Sequence, residues 1–263
     1  MNTLNTLKIT DFSELKNIIY SLWEIVKQEM FKNLEIEEKS WAELVTRIDR
    51  LIEIEARKLI KSHYWKVNFL GEEFPNEDNG GDITFIIDPL DGTESFIHRE
   101  FNTTISIWVE LWWKLVHGLV YDFMKNILYE GGKESFQYIG NRKIPLLRHT
   151  VSNKTRVLVS GRWQAVEDIQ KILKENPQIQ VTRAYGSVAL QTVQTGAGNY
   201  EWYVRVWKIK KWDIAWAAPF IQNLGDTSIL SREWNTFNHH SPEAGVIVVR
   251  NSFQDDFLKI LDL

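Results

Sequence analysis

Ile86-Ile87-Asp88-Pro89-Leu90-Asp91-Gly92-Thr93-Glu94-Ser95-Phe96 is the stretch on which the reading of this chain turns. The apolar run before it reads as a buried strand, and it ends abruptly in two aspartates, a proline, a glycine and a threonine. Carboxylates three residues apart on a tight turn can converge on one point. Gly92 allows close backbone approach to a ligand, and the residues after it can open a helix whose free N–H groups attract anions. Carboxylates for a hard cation beside donors for a phosphate point to metal-dependent phosphate chemistry.

The elements on either side extend that reading. Phe12, Leu15, Ile18, Ile19, Leu22, Ile25 and Val26 recur at helical spacing and predict an amphipathic helix over about 11–31, with Asp11 and Glu14 as a capping box. A second helix is expected from Ser40 or Thr46, through Leu51, Ile54, Leu59 and Ile60, with Asp49 in it or near its start. Val67 to Leu70 reads as a short strand ending at Gly71-Glu72-Glu73. A polar, mobile loop is expected over Pro75 to Asp82. Ile83 to Ile87 delivers the acidic turn, and Thr103–Val109, Leu115–Tyr121 and Ile127–Glu130 suggest an antiparallel meander.

A boundary is expected in the polar, basic stretch near 141–155. It divides the chain into an N-terminal α+β unit, 1–150, with most of the acids, and a C-terminal α/β unit, 151–263. In the second unit Arg156–Ser160, Val181–Tyr185, Tyr200–Val206 and Ala244–Val249 read as strands. Ala165–Lys174 and Asp213–Leu224 read as helices, and Gly186-Ser187 opens another. Hairpin-like pairs outnumber clean βαβ units. The fold class is therefore α/β of the α+β type, a layered sandwich with mixed, largely antiparallel sheets, not a doubly wound nucleotide fold.

Composition narrows the chemistry. The 263 residues suffice for one large domain or two small ones, and the net charge of −4 gives no basic footprint for nucleic acid or an anionic membrane. With no cysteine, disulfides, thiolate nucleophiles and cysteine-ligated zinc are excluded. That suits a cytoplasmic protein, as does the absence of a signal-peptide pattern or a bilayer-length apolar run. Among the twelve tryptophans, Trp112-Trp113 stand at a turn where Asn-Gly would be favoured, and Trp216 follows a C-terminal acid by three residues. Four acidic sites lie at ends of apolar elements: Asp49, Glu72, the Asp88/Asp91 pair and Asp213. Each alone reads more readily as a solvated cap; grouped, their hard oxygens suit magnesium.

Gly-Glu-Glu at 71–73, Asp-Pro-Leu-Asp-Gly-Thr-Glu-Ser-Phe at 88–96 and Trp-Asp-Ile-Ala at 212–215, in this order, resemble the inositol monophosphatase family. Gly118-Leu119-Val120-Tyr121-Asp122 and Gly186-Ser187 agree with it. The family belongs to the lithium-sensitive, magnesium-dependent phosphatases, with fructose-1,6-bisphosphatases and bisphosphate nucleotidases. The resemblance implies a sugar-phosphatase-like αβαβα sandwich, a homodimer, a small phosphorylated substrate and two or three Mg2+ per site. It implies that Glu72, Asp88 and the carbonyl of Leu90 hold one magnesium, and that Asp88, Asp91 and Asp213 hold a second. Asp49 and Thr93, with Glu72 beside them, would activate the attacking water. Gly92 and Thr93 would meet the phosphate, and Asp91, Gly186 and Ser187 the rest of the substrate.

The substrate itself stays open at this stage. Seven residues before Asp213, where animal-type relatives carry an inositol-binding glutamate, stands Val206. The neighbouring Arg205, Lys208, Lys210 and Lys211 could meet a second phosphate, as in a fructose-1,6-bisphosphatase or a 3′-phosphoadenosine 5′-phosphate phosphatase. A non-catalytic phosphometabolite-binding protein is the third reading.

Overall fold

The computed structural model describes residues 11–40, 43–100, 102–145, 155–161, 175–206, 227–231 and 246–250. It also describes positions 166, 167, 170, 171, 173, 212 and 220. Two sheets organise these residues. The larger has seven strands: β3 (Asn68–Gly71), β4 (Ile83–Asp91), β5 (Thr104–Leu111), β6 (Lys114–Asp122), β7 (Ile127–Gly131), β8 (Ser135–Ile139) and β9 (Arg142–Pro145), hydrogen-bonded in chain order. β3 and β4 are parallel, and every later pair is antiparallel. The second sheet has five strands, β10 (Thr155–Gly161), β11 (Ile179–Arg183), β12 (Trp202–Val206), β13 (Thr227–Ser231) and β14 (Val246–Arg250). Its order is β11-β10-β12-β14-β13, the first three parallel and the rest antiparallel. A third, two-stranded hairpin joins β1 (Glu37–Ser40) to β2 (Glu43–Val45).

Helices α1 (Glu14–Glu29) and α2 (Arg47–His63) cover one face of the seven-stranded sheet. α1 buries Leu15, Ile18, Ile19, Leu22 and Val26, the stripe its periodicity predicts. Its start differs from expectation. Ser13 occupies the N-cap, without a side-chain cap, and Asp11 accepts the Ser13 N–H at 3.0 Å instead. α2 begins at Thr46, not Ser40, with a capping box formed by Thr46 and Asp49. Such a cap contributes about 0.5–2 kcal/mol and fixes which turn of helix comes first. Ile48, Ile52, Ala56 and Ile60 then dock on the sheet.

A second core lies between the two sheets. Helix α4 (Val188–Gly196), capped by Ser187, packs Val188, Ala189, Leu190 and Val193 against Ile86, Trp108 and Val120 of the first sheet and Leu158 and Tyr203 of the second. The described layers thus run helices, sheet, helix, sheet. Buried Val166 and Leu173 belong to the expected 165–174 helix, of which positions 166, 167, 170, 171 and 173 are described as helical. The expected helix over 213–224 lies outside the described residues except for position 220. Among the described helices none is long and apolar enough to cross a membrane.

The polar 75–82 loop is tied down along its length. Glu77 bridges to Phe69, and Arg57 holds the carbonyls of Phe74 and Pro75. Asn68 receives the N–H of Asn79 at 2.8 Å and donates to Gly81 O at 2.8 Å. At the far end of β5, Trp112 and Trp113 adopt φ of 46° and 66°, the left-handed pair that a two-residue hairpin needs. They are 60% and 75% exposed, so each bears the backbone conformation of a glycine without burying its ring.

Candidate active site

β4 carries the site because it is buried on both faces until it breaks. Its pairing with β5 slips between Asp88 and Asp91, where Pro89 interrupts the ladder. Asp88 is 2% exposed, Leu90 is fully buried and Asp91 is 7% exposed, so both acids are held at the strand end away from bulk water. β3 brings in Glu72. Because Gly71 lies opposite Ile87 in the parallel pair, Glu72 and Asp88 leave adjacent strands side by side.

Gly92 follows, at φ 90°, as the N-cap of the five-residue helix α3 (Thr93–Ile97). A Cβ here would lie 2.7 Å from both Asn102 O and Ser187 N, so no other residue fits. Gly186 is equally confined, its φ 73° and a Cβ 2.2 Å from Asn102 O. The two glycine turns expected at the site therefore touch, stitched by the Ser187 N–H donating to Asn102 O at 2.8 Å.

Thr93 faces Asp49. Its hydroxyl lies 2.9 Å from Asp49 Oδ1 and 3.0 Å from Leu90 O, with one proton to donate. The charged oxygen is the stronger acceptor. The other oxygen, Oδ2, receives the Thr46 N–H at 2.8 Å and the Thr46 hydroxyl at 2.5 Å. The capping box thus turns Asp49 so that Oδ1 points at Thr93. Burial pushes the Asp49 carboxyl above its usual range, while the bonds from Thr46 and Thr93 and the charge of Lys39 pull it back.

Asp91 is held from the opposite side. Its Oδ2 receives the Ser187 hydroxyl at 2.7 Å and the Ala189 N–H at 2.7 Å, and its Oδ1 the Val188 N–H at 3.2 Å. The carboxylate sits on the N-terminus of α4, where the helix dipole favours a negative charge. Burial raises its pKa; Ser187, Ala189, Val188 and the charge of Arg205 lower it. Because Ser187 Oγ donates to Asp91, it accepts from Leu190 N at 2.8 Å and from Thr104 Oγ1 at 2.8 Å. Ser187 is fully buried, so its side chain positions Asp91, where the sequence suggested a direct contact with substrate.

Lys39, on the β1–β2 hairpin, was not singled out by the sequence. Its ammonium lies 3.4 Å from Glu72 Oε1 and is paired with the Glu73 carboxylate. Burial opposes its charge, but Glu72, Glu73 and Asp49 outweigh that and raise its pKa. The charged run Glu37-Glu38-Lys39 carries no pattern that aims one member inward.

The donor set of Glu72, Asp88, Asp91 and the Leu90 carbonyl is all oxygen, which suits a hard divalent cation. Asp91 accepts three hydrogen bonds on two oxygens and keeps lone-pair capacity for a ligand. Among the described residues no three acids or histidines already enclose a cation-sized point. The fifth expected contributor, Asp213, lies outside the described residues, as do Trp216, Lys208, Lys210 and Lys211. A groove of about 580 Å³ lined by Ile54, Arg57, Lys61, Phe74 and Glu77 lies between α2 and the 74–77 segment, and none of the site acids lines it.

Fold and site together define a mixed α/β protein with acids at the break of strand β4, next to the sheet edge. The sequence pattern of the Inositol monophosphatase family matches residues 11–250, and the chain belongs to that family. Its members are phosphoric monoester hydrolases that generally depend on metal ions. The chain is 27% identical over 246 residues to the inositol-1-monophosphatase of Bacillus subtilis, covering 89% of this chain and 91% of that one. Its fold matches the extragenic suppressor protein SuhB of Bartonella henselae with a TM-score of 0.81 at 20% identity, over 95% and 97% of the two chains. It matches an IMPase of Thermotoga maritima with a TM-score of 0.77 at 21% identity, over 100% and 97%.

Proposed function

We propose that this protein is a magnesium-dependent phosphomonoesterase that hydrolyses inositol monophosphate or a related small phosphosugar by activating a water molecule. The observation that carries this reading is the Thr93–Asp49 hydrogen bond of 2.9 Å beside the Asp88–Asp91 turn. Thr93 has one hydroxyl proton and directs it to Asp49. Its lone pairs are then available to a water on the phosphate side. As the water oxygen bonds to phosphorus and the ester P–O bond breaks, the water proton passes to Thr93 Oγ1 and the threonine proton to Asp49 Oδ1; the departing alkoxide takes a proton from solvent water, and Asp49 returns its own to solvent. A carboxylate whose pKa is raised by burial is a better acceptor for that proton.

Glu72, Asp88 and the Leu90 carbonyl, with Asp91 and Asp213, are the groups that would hold magnesium. When bound, it neutralises phosphate charge and acidifies water. The carboxylates stay oriented because Thr46 fixes Asp49 and the α4 N-terminus fixes Asp91. Binding of inositol phosphate is supported by the name of the Bacillus subtilis relative. The test is phosphate release from inositol 1-phosphate, fructose 1,6-bisphosphate and 3′-phosphoadenosine 5′-phosphate, with magnesium or with EDTA. Magnesium-dependent release is expected; no release from any ester would refute the reading. Lithium inhibition and a homodimer on light scattering belong to the same reading.

Arg205 favours a second version. It stands at the carboxyl end of β12, beside parallel β10, and its charge is felt by Asp91. Open sheets take ligands at such strand ends. A bisphosphate would place its second anion there. A strong preference for the two-phosphate esters in the same panel, lost in Arg205→Gln, would select that version.

A further inference from the structure

The buried pair Glu53–Arg57 takes no part in the chemistry above, yet it contacts the segment that carries Glu72. Asp49, Glu53 and Arg57 follow one another at four-residue steps along α2 and so share a face. All three are buried, at 0%, 0% and 7% exposure. Glu53 Oε2 accepts the backbone N–H of Glu73 at 2.7 Å. Glu53 Oε1 receives Arg57 Nε at 3.0 Å and Nη2 at 2.5 Å. Arg57 in turn donates to Pro75 O at 3.0 Å, to Glu77 Oε1 at 2.9 Å and to Phe74 O at 3.3 Å.

Gly71 completes the fit. A Cβ there would lie 1.9 Å from Glu53 Oε1 and 2.8 Å from Arg57 Nη2. The glycine before Glu72 thus makes room for the carboxylate that grips the residue after it. Glu72 is held between these two points.

A buried ion pair is a poor source of stability, because desolvation offsets most of its attraction. An apolar pair would pack this face of α2 as well, but it could not grip a backbone N–H. We propose that Glu53, oriented by Arg57, is a positioning residue that sets Glu72 against Asp49 and Asp88. One helix then carries the water-activating aspartate in its first turn and, one turn further, the clamp for a metal ligand. This inference rests on the reading of Glu72 as a magnesium ligand given above.

The test is calorimetric titration of the full chain with Mg2+ alone, beside thermal denaturation, for wild type, Glu53→Ala, Glu53→Gln and Val26→Ala. Val26 is a buried core residue of α1 and serves as a control for lost stability. Glu53→Ala is expected to weaken magnesium binding about tenfold, as loss of a group that orients a metal ligand does. Glu53→Gln keeps an oxygen for the Glu73 N–H and is expected to fall between Glu53→Ala and wild type. Val26→Ala should lower the melting temperature and leave magnesium affinity unchanged. If Glu53→Ala does not fold, Glu53→Gln decides. Wild-type affinity in a folded Glu53 variant, or an equal loss in Val26→Ala, overturns the inference. A wild type that binds no magnesium overturns the reading beneath it instead.

Discussion

The two ends of strand β5 face the same demand and meet it differently. Near its start, Gly92 and Gly186 take positive φ values, and a Cβ at either would strike the backbone of Asn102. At its end, Trp112 and Trp113 take positive φ values too, but in solvent. Where a left-handed backbone is also a close packing point, only glycine works. Where it is only a turn, the chain carries about 1–2 kcal/mol of local strain and folds regardless. Tight packing therefore marks the end proposed to do chemistry.

Gly92→Ala should be the most damaging single change. The added methyl group would push Asn102 and Ser187 apart and displace the turn proposed to meet the phosphate. Phosphate release is expected to fall by about a hundredfold or more, with a lower melting temperature. A variant with wild-type turnover would break the contrast between the two ends. Asp49→Asn comes next. It preserves shape and removes the proton acceptor, so turnover should fall by about 10²–10⁴ while the melting temperature changes little.

Thr46→Ala probes how the aspartate is aimed. It removes the bond from the Thr46 hydroxyl to Oδ2 and the cap of α2 together. A loss of about 0.5–2 kcal/mol in stability is expected from denaturant unfolding. A lower rate constant at saturating substrate should accompany it, because Oδ1 is no longer held toward Thr93. At the other end, Trp112→Asn with Trp113→Gly should stabilise the protein by about 1–2 kcal/mol with activity unchanged. A destabilised double variant would mean that the rings make contacts that matter.

His117 gives the smallest effect and stands on β6, opposite Val109. It stacks on Phe12 with ring centres 5.4 Å apart and lies 3.4 Å from Glu130, which also meets Lys16 and Tyr138. Burial depresses its pKa; Glu130 raises it and Lys16 lowers it. Below the ordinary histidine value of about 6.5, the unfolded chain takes up a proton that the folded chain resists. Stability should therefore fall as pH drops below that value, and His117→Asn should flatten that part of the profile. An unchanged profile would contradict the buried neutral imidazole.

The sequence made this division only partly legible. The DPLDGT turn, the apolar stripe of α1 and the β5–β7 meander follow from periodicity and turn residues, whereas of the α2 positions expected inside only Ile60 is buried and Ile54 is exposed. Asp49 and Thr93 could be paired only through a family resemblance, because their approach depends on how α2 lies across β4. The β1–β2 hairpin was missed because Glu37-Glu38-Lys39-Ser40 lacks the alternation that marks a strand. β8, β9 and β13 were missed as well, being four or five residues each with little contrast between faces. The family resemblance implied a ligand contact for Ser187, and only the packing of α4 at the end of β4 shows its hydroxyl on Asp91. Glu53 and Arg57 were not singled out by the sequence, because an i,i+4 charged pair carries no sign of burial and only the fold shows Gly71 making room for it.

The central claim is that the broken end of β4, with Asp49 opposite Thr93, is a site of phosphate-ester hydrolysis. The most direct measurement is phosphate release from inositol 1-phosphate by wild type and Thr93→Ala, each with magnesium and with EDTA. The account predicts turnover by wild type only with magnesium, and its loss by at least about a hundredfold in a folded Thr93→Ala protein. Undiminished turnover in that variant would contradict it.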